Sequence, residues 1–345
     1  MLFEEGIKVA QPVYTAIDQT FTKALTTIKG VKLTFVNLYP LPVLQAVIYY
    51  LSLPFLYLLS WLPSGLLYAV SDFVYLILYR VLGYRKDVVM NNLRRSFPEK
   101  TETELNVIAD RFYRHLCDLF LETFKTLTIS RKEMLRRCEM SAGAKKIFDD
   151  LAAANQSCII LMGHQGQWEW GGNTFSLLCR HRLYVIYHPL ANKYFNGLMY
   201  RMRTRFGTGL IAMKDTFRDM TRLRQELTAT AFIADQSPTP ETAYWTTFLH
   251  QDSGFFQGAE KIARKMNRPV VYIQVYKKRR GYYELRAEAL CANPGSSADG
   301  EVLEAYIQKL QQDIYQQPET WLWSHRRWKH RRPQKIQLKE TNETR

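Results

Sequence analysis

The stretch LMGHQGQWEWGG, residues 161–172, brings together the side chains that proton transfer requires, His164 and, five positions on, Glu169. An imidazole can take a proton from a hydroxyl near neutral pH, and a carboxylate on its other nitrogen fixes the tautomer that does so. On one continuous helix five residues leave two side chains roughly 140° apart. The pair therefore converges only if His164 lies in a strand-to-helix loop and Glu169 in the first helical turn. Gly163 and Gly166 supply the backbone freedom for such a loop. This is a base with its orienting acid and no protein nucleophile. The competing readings are a core or capping histidine, or a pair of metal ligands. No further His, Cys or carboxylate cluster stands at ligand spacing, so neither metal nor cofactor is expected. No G-x-S-x-G elbow is present, and Cys158 falls inside an apolar run, which disfavours Ser or Cys nucleophiles.

The elements that must position these groups are legible as texture. From residue 157 short apolar runs, SCIILM, LYVIY, TATAFIA and PVVYIQVY, alternate with helical patterns, and YYELRAE follows an Arg280-Gly281 turn. This predicts an α/β domain with a central sheet. Asp235 and Gln236 follow TATAFIA at a strand end, where they either face a cleft or, for Asp235, cap the next turn. Arg201, Arg203 and Arg205 stand at alternate positions, on plain reading a solvated basic surface. Upstream, Thr101 and Glu104 have capping-box spacing. Apolar residues then recur at Leu105, Ile108, Phe112, Leu116, Leu119, Phe120 and Leu127, predicting one long amphipathic helix. Phe255, Phe256, Gly258 and Glu260 read as the opening of another apolar helix. A basic tract from His325 to Lys335, with Trp321, Trp323 and Trp328 interleaved, reads as a headgroup-binding segment or a charged tail.

Among 345 residues, 47% are hydrophobic, enough for a real core, and 47 Lys and Arg against 32 Asp and Glu leave a net charge of +15. Such a surface attracts polyanions, whether nucleic acid, anionic lipid or an acidic carrier protein. The 5 cysteines are scattered and never paired as CxxC, which fits a reducing, cytosol-facing compartment. MLFEEGIKVAQ lacks the pattern of a secretory signal. From Leu33 to Ser71 no side chain is charged, and Val43–Leu62, interrupted by Pro54, has the length of one membrane crossing of roughly 20 residues, the alternative being a buried core hairpin. Ser64–Leu82 carries Asp72 and Arg80 and reads as an interfacial helix. Arg80, Arg85, Lys86, Arg94, Arg95 and Lys100 follow the apolar region, placing the large C-terminal part in the cytoplasm.

From about Leu62 to Lys329 the sequence resembles the lipid A biosynthesis late acyltransferases, the lauroyl and myristoyl transferases. The resemblance is carried by LPSGLLYAVSDFVYLILYRVLGYRKDVVMNNLRRSFPEKT, GHQGQWEWGG, RMRTRFGTGLIAMKD, ADQSP, GFFQGAEKIARKMNRPVV and PETWLWSHRRWK, in that order. It implies an α/β, glycerolipid-acyltransferase-like central sheet flanked by helices, with an N-terminal membrane helix in the inner membrane. It implies an acyl carrier protein thioester as donor and a hydroxyl of a lipid A precursor or related glycolipid as acceptor. Neither nucleic acid nor a cofactor is implied, since attack of a hydroxyl on a thioester needs a base and oxyanion stabilisation. In that family the histidine of H-x4-D/E is the general base and the acid its support, roles that fall on His164 and Glu169. A downstream arginine that binds acyl or phosphate oxygens falls on Arg203 or Arg205, with Arg201 third. Asp235 and Gln236 match a DQ element and, with Trp168, form a site wall; Phe255 and Phe256 would line an acyl tunnel. HQGQWEW departs from an HFGNWE-like form at Gln165 and Gln167, which bears on the acceptor rather than the reaction. The expected organisation is a leader over 1–37, a membrane anchor and interfacial helix over 38–83, a helical segment over 84–150, the acyltransferase domain over 151–335 and a polar tail over 336–345. The rival readings are acylation of an aminolipid, a hydrolase using the same pair on water, and a basic membrane-anchored binding protein.

Overall fold

The computed structural model describes residues 41–333, so the expected leader and polar tail lie outside the described residues. Two apolar helices come first, α1 (Leu41–Trp61, with Pro54 inside it) and α2 (Ser64–Tyr75), the latter continued by a π-helical stretch Leu76–Val81. By length and composition Ser64–Val81 suffices to cross a membrane, and Gln45–Trp61 forms a shorter apolar helix beside it. After α3 (Lys86–Ser96) comes the long helix α4 (Glu102–Lys125). Its start carries the capping box expected from the sequence: the Glu104 N–H donates to Thr101 Oγ1 at 3.3 Å, and the Thr101 N–H to Glu104 Oε2 at 2.8 Å. Its apolar stripe, including Leu105, Phe112 and Leu116, is buried.

The remaining chain builds a seven-stranded sheet whose strands in chain order are β1 (Cys138–Met140), β2 (Cys158–Met162), β3 (Arg182–Tyr187), β4 (Gly209–Ala212), β5 (Thr228–Ile233), β8 (Val270–Arg279) and β9 (Tyr282–Cys291). Their spatial order is β1-β9-β8-β2-β5-β3-β4. β8, β2, β5, β3 and β4 run parallel, and β9 returns antiparallel to β8 around Gly281, whose φ of 74° fits the tight turn. Helices α5 (Arg131–Arg137), α6 (Ala142–Ala153), α7 (Trp168–Leu178), α8 (Lys193–Thr204), α9 (Thr216–Arg222), α10 (Gly258–Met266) and α11 (Glu301–Gln316) complete the chain. All five residues of β2 are buried, as a central parallel strand covered on both faces should be.

A hairpin apart from this sheet, β6 (Ala243–Phe248) and β7 (Gln251–Phe256), corrects one expectation: Phe255 and Phe256 end a strand, and the helix begins only at Gly258. Its turn is formed by Leu249 and His250, with φ of 49° and 62°, residues that do not advertise a two-residue turn as Asn-Gly would. Glu260 is buried in α10 and accepts the Val302 N–H at 3.1 Å, a structural use of its carboxylate.

Candidate active site

The strand register determines what meets at the sheet edge. β2 and β5 are parallel neighbours with Met162 opposite Ile233, so His164 and Asp235 each lie two residues beyond a matched pair. His164 Nδ1 and Asp235 Oδ1 are 2.6 Å apart. A carboxylate only accepts, so Nδ1 carries the hydrogen and Nε2 is left basic. The other carboxylate oxygen accepts the His164 backbone N–H and the Trp321 indole N–H, both at 2.8 Å. Asp235 is 2% exposed. Burial alone would raise its pKa; the His164 charge and these hydrogen bonds outweigh it and hold the carboxyl at about 2.

His164 lies in the loop between β2 and α7, and Glu169 in the first turn of α7, as their spacing predicts. The partner on Nδ1 departs from the expectation, because it is Asp235. Glu169 instead holds Arg203, with Arg203 Nη2 at 2.6 Å from Oε1 and Nε at 3.0 and 3.1 Å from the two oxygens. Trp168 packs edge-on to the His164 ring, with centroids 5.2 Å apart.

His164, Trp168, Glu169, Arg203 and Gln236 line a cavity of about 180 Å³. Its buried lining residues Ile160, Phe175, Leu183, Ala231, Ile273 and Leu285 are apolar, and Phe256 lines it while the buried Phe255 packs in the core. Of the three arginines, Arg203 belongs to this cavity. Positions two apart on a helix are rotated by roughly 200°, so Arg201 points elsewhere, onto the Tyr49 hydroxyl at 2.6 Å. Arg205 donates to the Thr126 carbonyl.

Two further parts hold the loop from behind. Gly166, at φ 61°, lies so close to the Val275 carbonyl that a Cβ would be driven into it. Gln167 sends its amide to Glu122 Oε2 at 3.0 Å and to the Leu119 carbonyl at 3.2 Å, giving a buried structural use to one of the two unusual glutamines. The C-terminal tract, read from sequence as a headgroup-binding segment or a charged tail, is in part built into the body of the protein, while Arg326, Lys329 and Arg331 stay exposed. Trp321, Trp323, His325 and Arg327 are buried. The Gly166 N–H donates to the Thr320 carbonyl at 3.1 Å, and Arg327 Nη2 to the Gly254 carbonyl at 2.7 Å. Burial pushes the Arg327 pKa down to about 10 and that of His325 to about 3, so His325 stays neutral at physiological pH.

An imidazole–carboxylate pair opening onto an apolar-walled cavity suits base-assisted chemistry at a group carried on a hydrocarbon chain. Residues 40–330 match the model of the bacterial lipid A biosynthesis acyltransferases, and the chain belongs to that family. It is 23% identical over 291 residues to the lipid A biosynthesis lauroyltransferase of Escherichia coli (strain K12), covering 80% of this chain and 92% of that relative. The family identifies the protein as an acyltransferase.

Proposed function

We propose that this protein moves a fatty acyl chain from an acyl carrier protein thioester to a hydroxyl of a lipid A precursor, with His164 as general base. The observation that carries this reading is the His164–Asp235 pair, whose imidazole lines a cavity with apolar walls. His164 Nε2 takes the hydroxyl proton as the acceptor oxygen bonds to the thioester carbonyl carbon. The C–S bond then breaks, and the carrier thiolate leaves and takes up a proton. Asp235 keeps the imidazole in the basic tautomer and stabilises its charged form. Arg203, oriented by Glu169, faces the developing oxyanion or an acceptor phosphate, where an electrostatic group contributes about 3 kcal/mol. The apolar walls take the acyl chain.

The protein acts at the inner membrane with its catalytic domain towards the cytoplasm. Supporting this are the apolar residues exposed on α1, α2 and the π-helical stretch after it, among them Leu51, Trp61, Phe73 and Val81, together with the basic residues that follow them and five free cysteines.

The test is incubation of purified protein with acyl carrier protein thioester and lipid A precursor, followed by mass spectrometry of the lipid. The expected product is the acceptor plus one acyl group, with His164→Ala reducing its rate by about 10²–10⁴. Free fatty acid without acylated lipid would identify a hydrolase. Acylation of an aminolipid in place of the lipid A precursor would keep the mechanism and change the acceptor. No product with any acceptor, from a folded protein, would move the reading to a binding protein.

A further inference from the structure

We infer that α1 and α2 lie in the plane of the membrane, seated in one leaflet, and do not cross it; this rests on the membrane-bound reading above. It departs from the crossing that the sequence suggests over Val43–Leu62.

α1 has two unlike faces. Val47, Leu51, Phe55 and Leu58 form one exposed stripe at 47, 76, 58 and 58% exposure, spaced to lie along one side of a helix. On the other side Tyr49, Leu56 and Leu59 are buried against the body, Tyr49 stacking on Tyr194 with centroids 5.6 Å apart. That side is stitched to charged groups. Arg201 donates to the Tyr49 hydroxyl at 2.6 Å, and Lys125 Nζ to the carbonyls of Ser60 and Leu62 at 2.8 and 2.6 Å. Were Val43–Leu62 a crossing helix, the exposed Arg201 would sit about one turn from the bilayer midplane, where a charge is costly.

The same conflict meets α2. The 18 residues Ser64–Val81 centre on Asp72, whose carboxylate pairs with Arg280 at 2.8 Å, and Arg280 reaches Asp118 at 2.7 Å. The Asp72 and Arg280 side chains are 44% and 38% exposed, so a crossing would hold an open ion pair in hydrocarbon. In-plane seating removes both conflicts. Leu51, Phe55, Phe73 and Val81 enter the acyl region while Arg80, Arg114 and Arg280 stay at the level of anionic headgroups. Seating also bears on function. Met199 of α8 lines the cavity and packs in one cluster with Tyr49 and Leu56, so the cavity lies one helix away from the leaflet.

The stripe itself supplies the test. Val47→Cys, Leu51→Cys, Phe55→Cys and Leu58→Cys are made singly in the full chain, with the partly exposed Cys179 and Cys291 replaced by serine. Each is labelled with an environment-sensitive fluorophore in vesicles of phosphatidylethanolamine and phosphatidylglycerol. Quenching is compared for lipids spin-labelled at the headgroup, mid-chain and chain end. From Val47 to Leu58 is roughly 16 Å of helix against a hydrocarbon thickness of about 30 Å, so a crossing helix must change depth along it. The expected result is one shallow quenching maximum shared by all four positions. A maximum that moves towards the chain end and back along the series overturns the inference while the membrane reading stands. Absence of quenching at every depth overturns both.

Discussion

Trp321 donates its indole N–H to Oδ2 of Asp235 at 2.8 Å, across 86 positions of sequence, and so secures the carboxylate that holds His164. The bond is to an ionised acceptor in a buried setting, worth about 1.5–3 kcal/mol. Trp321→Phe keeps the ring in place and removes the donor. We expect kcat to fall about tenfold with KM little changed, because Trp321 lies behind the carboxylate and not in the cavity. Steady-state kinetics at fixed pH checks this, and an unchanged kcat in a folded variant would sink it.

The two acids near the histidine should behave differently when neutralised. Asp235→Asn leaves an amide opposite Nδ1 and allows the wrong tautomer, so kcat should fall by about 10³–10⁴ with the fold intact. Glu169→Gln leaves His164 with its Asp235 partner and loosens Arg203, which predicts a smaller loss, about 10²-fold, and a change in KM. The reverse order of severity in kcat would return the role of imidazole partner to Glu169.

Much of this site was legible because strands announce their ends. The runs CIILM and TATAFI place His164 and Asp235 at the edge of a sheet, and both positions can be read from the sequence alone. The pairing was not legible. Which strand lies beside β2 depends on tertiary order, and β5 is its neighbour although β3 and β4 intervene in sequence. The assignment of Glu169 followed nearness in sequence, whereas the register of β2 and β5 brings a residue from far along the chain. The three arginines were unresolved because alternate spacing has opposite meanings on a strand and on a helix, and α8 is a helix. The short strands β1 and β4 carry too few residues for a period-2 pattern. The burial within the C-terminal tract was hidden for another reason: Arg327 and His325 look solvated by type, yet both are buried, Arg327 donating to the Gly254 carbonyl of β7.

Glu122 gives a stability prediction with a definite sign. It is wholly buried and accepts from Tyr68 and Tyr283 hydroxyls at 2.8 Å each and from the Gln167 amide at 3.0 Å. Burial, aided by the charge of Asp118, raises its pKa from 4.5 to about 7 against the pull of the Tyr68 and Gln167 hydrogen bonds. The native state therefore binds a proton that the unfolded state has released across this window. This contribution is fully present below pH 4.5 and is lost as pH rises through about 7, on the order of 3 kcal/mol. Glu122→Gln cannot titrate, so its stability relative to wild type should improve between pH 5 and pH 8. Denaturant unfolding at the two pH values tests it; a constant difference would mean that Glu122 is ionised at both.

Two glycines of the same segment should respond in opposite directions to one added methyl. Gly166 combines φ of 61° with a Val275 carbonyl where a Cβ must go, so Gly166→Ala faces backbone strain and a clash that backbone movement alone relieves. We expect it to lose about 3 kcal/mol or more of stability and, by displacing His164, most activity. Gly172 lies inside α7, and its nearest obstacle is Leu183 Cδ2 at 3.7 Å, ordinary contact distance. Gly172→Ala should therefore gain up to about 1 kcal/mol from helix propensity. Gly172 also lines the cavity, so the added methyl should narrow the space left for an acyl chain and favour shorter donors. Unfolding midpoints in detergent, with product analysis over a series of acyl lengths, measure both effects. A stable, active Gly166→Ala would mean that the loop carrying His164 tolerates a different backbone path, and that its observed geometry is not what the chemistry depends on.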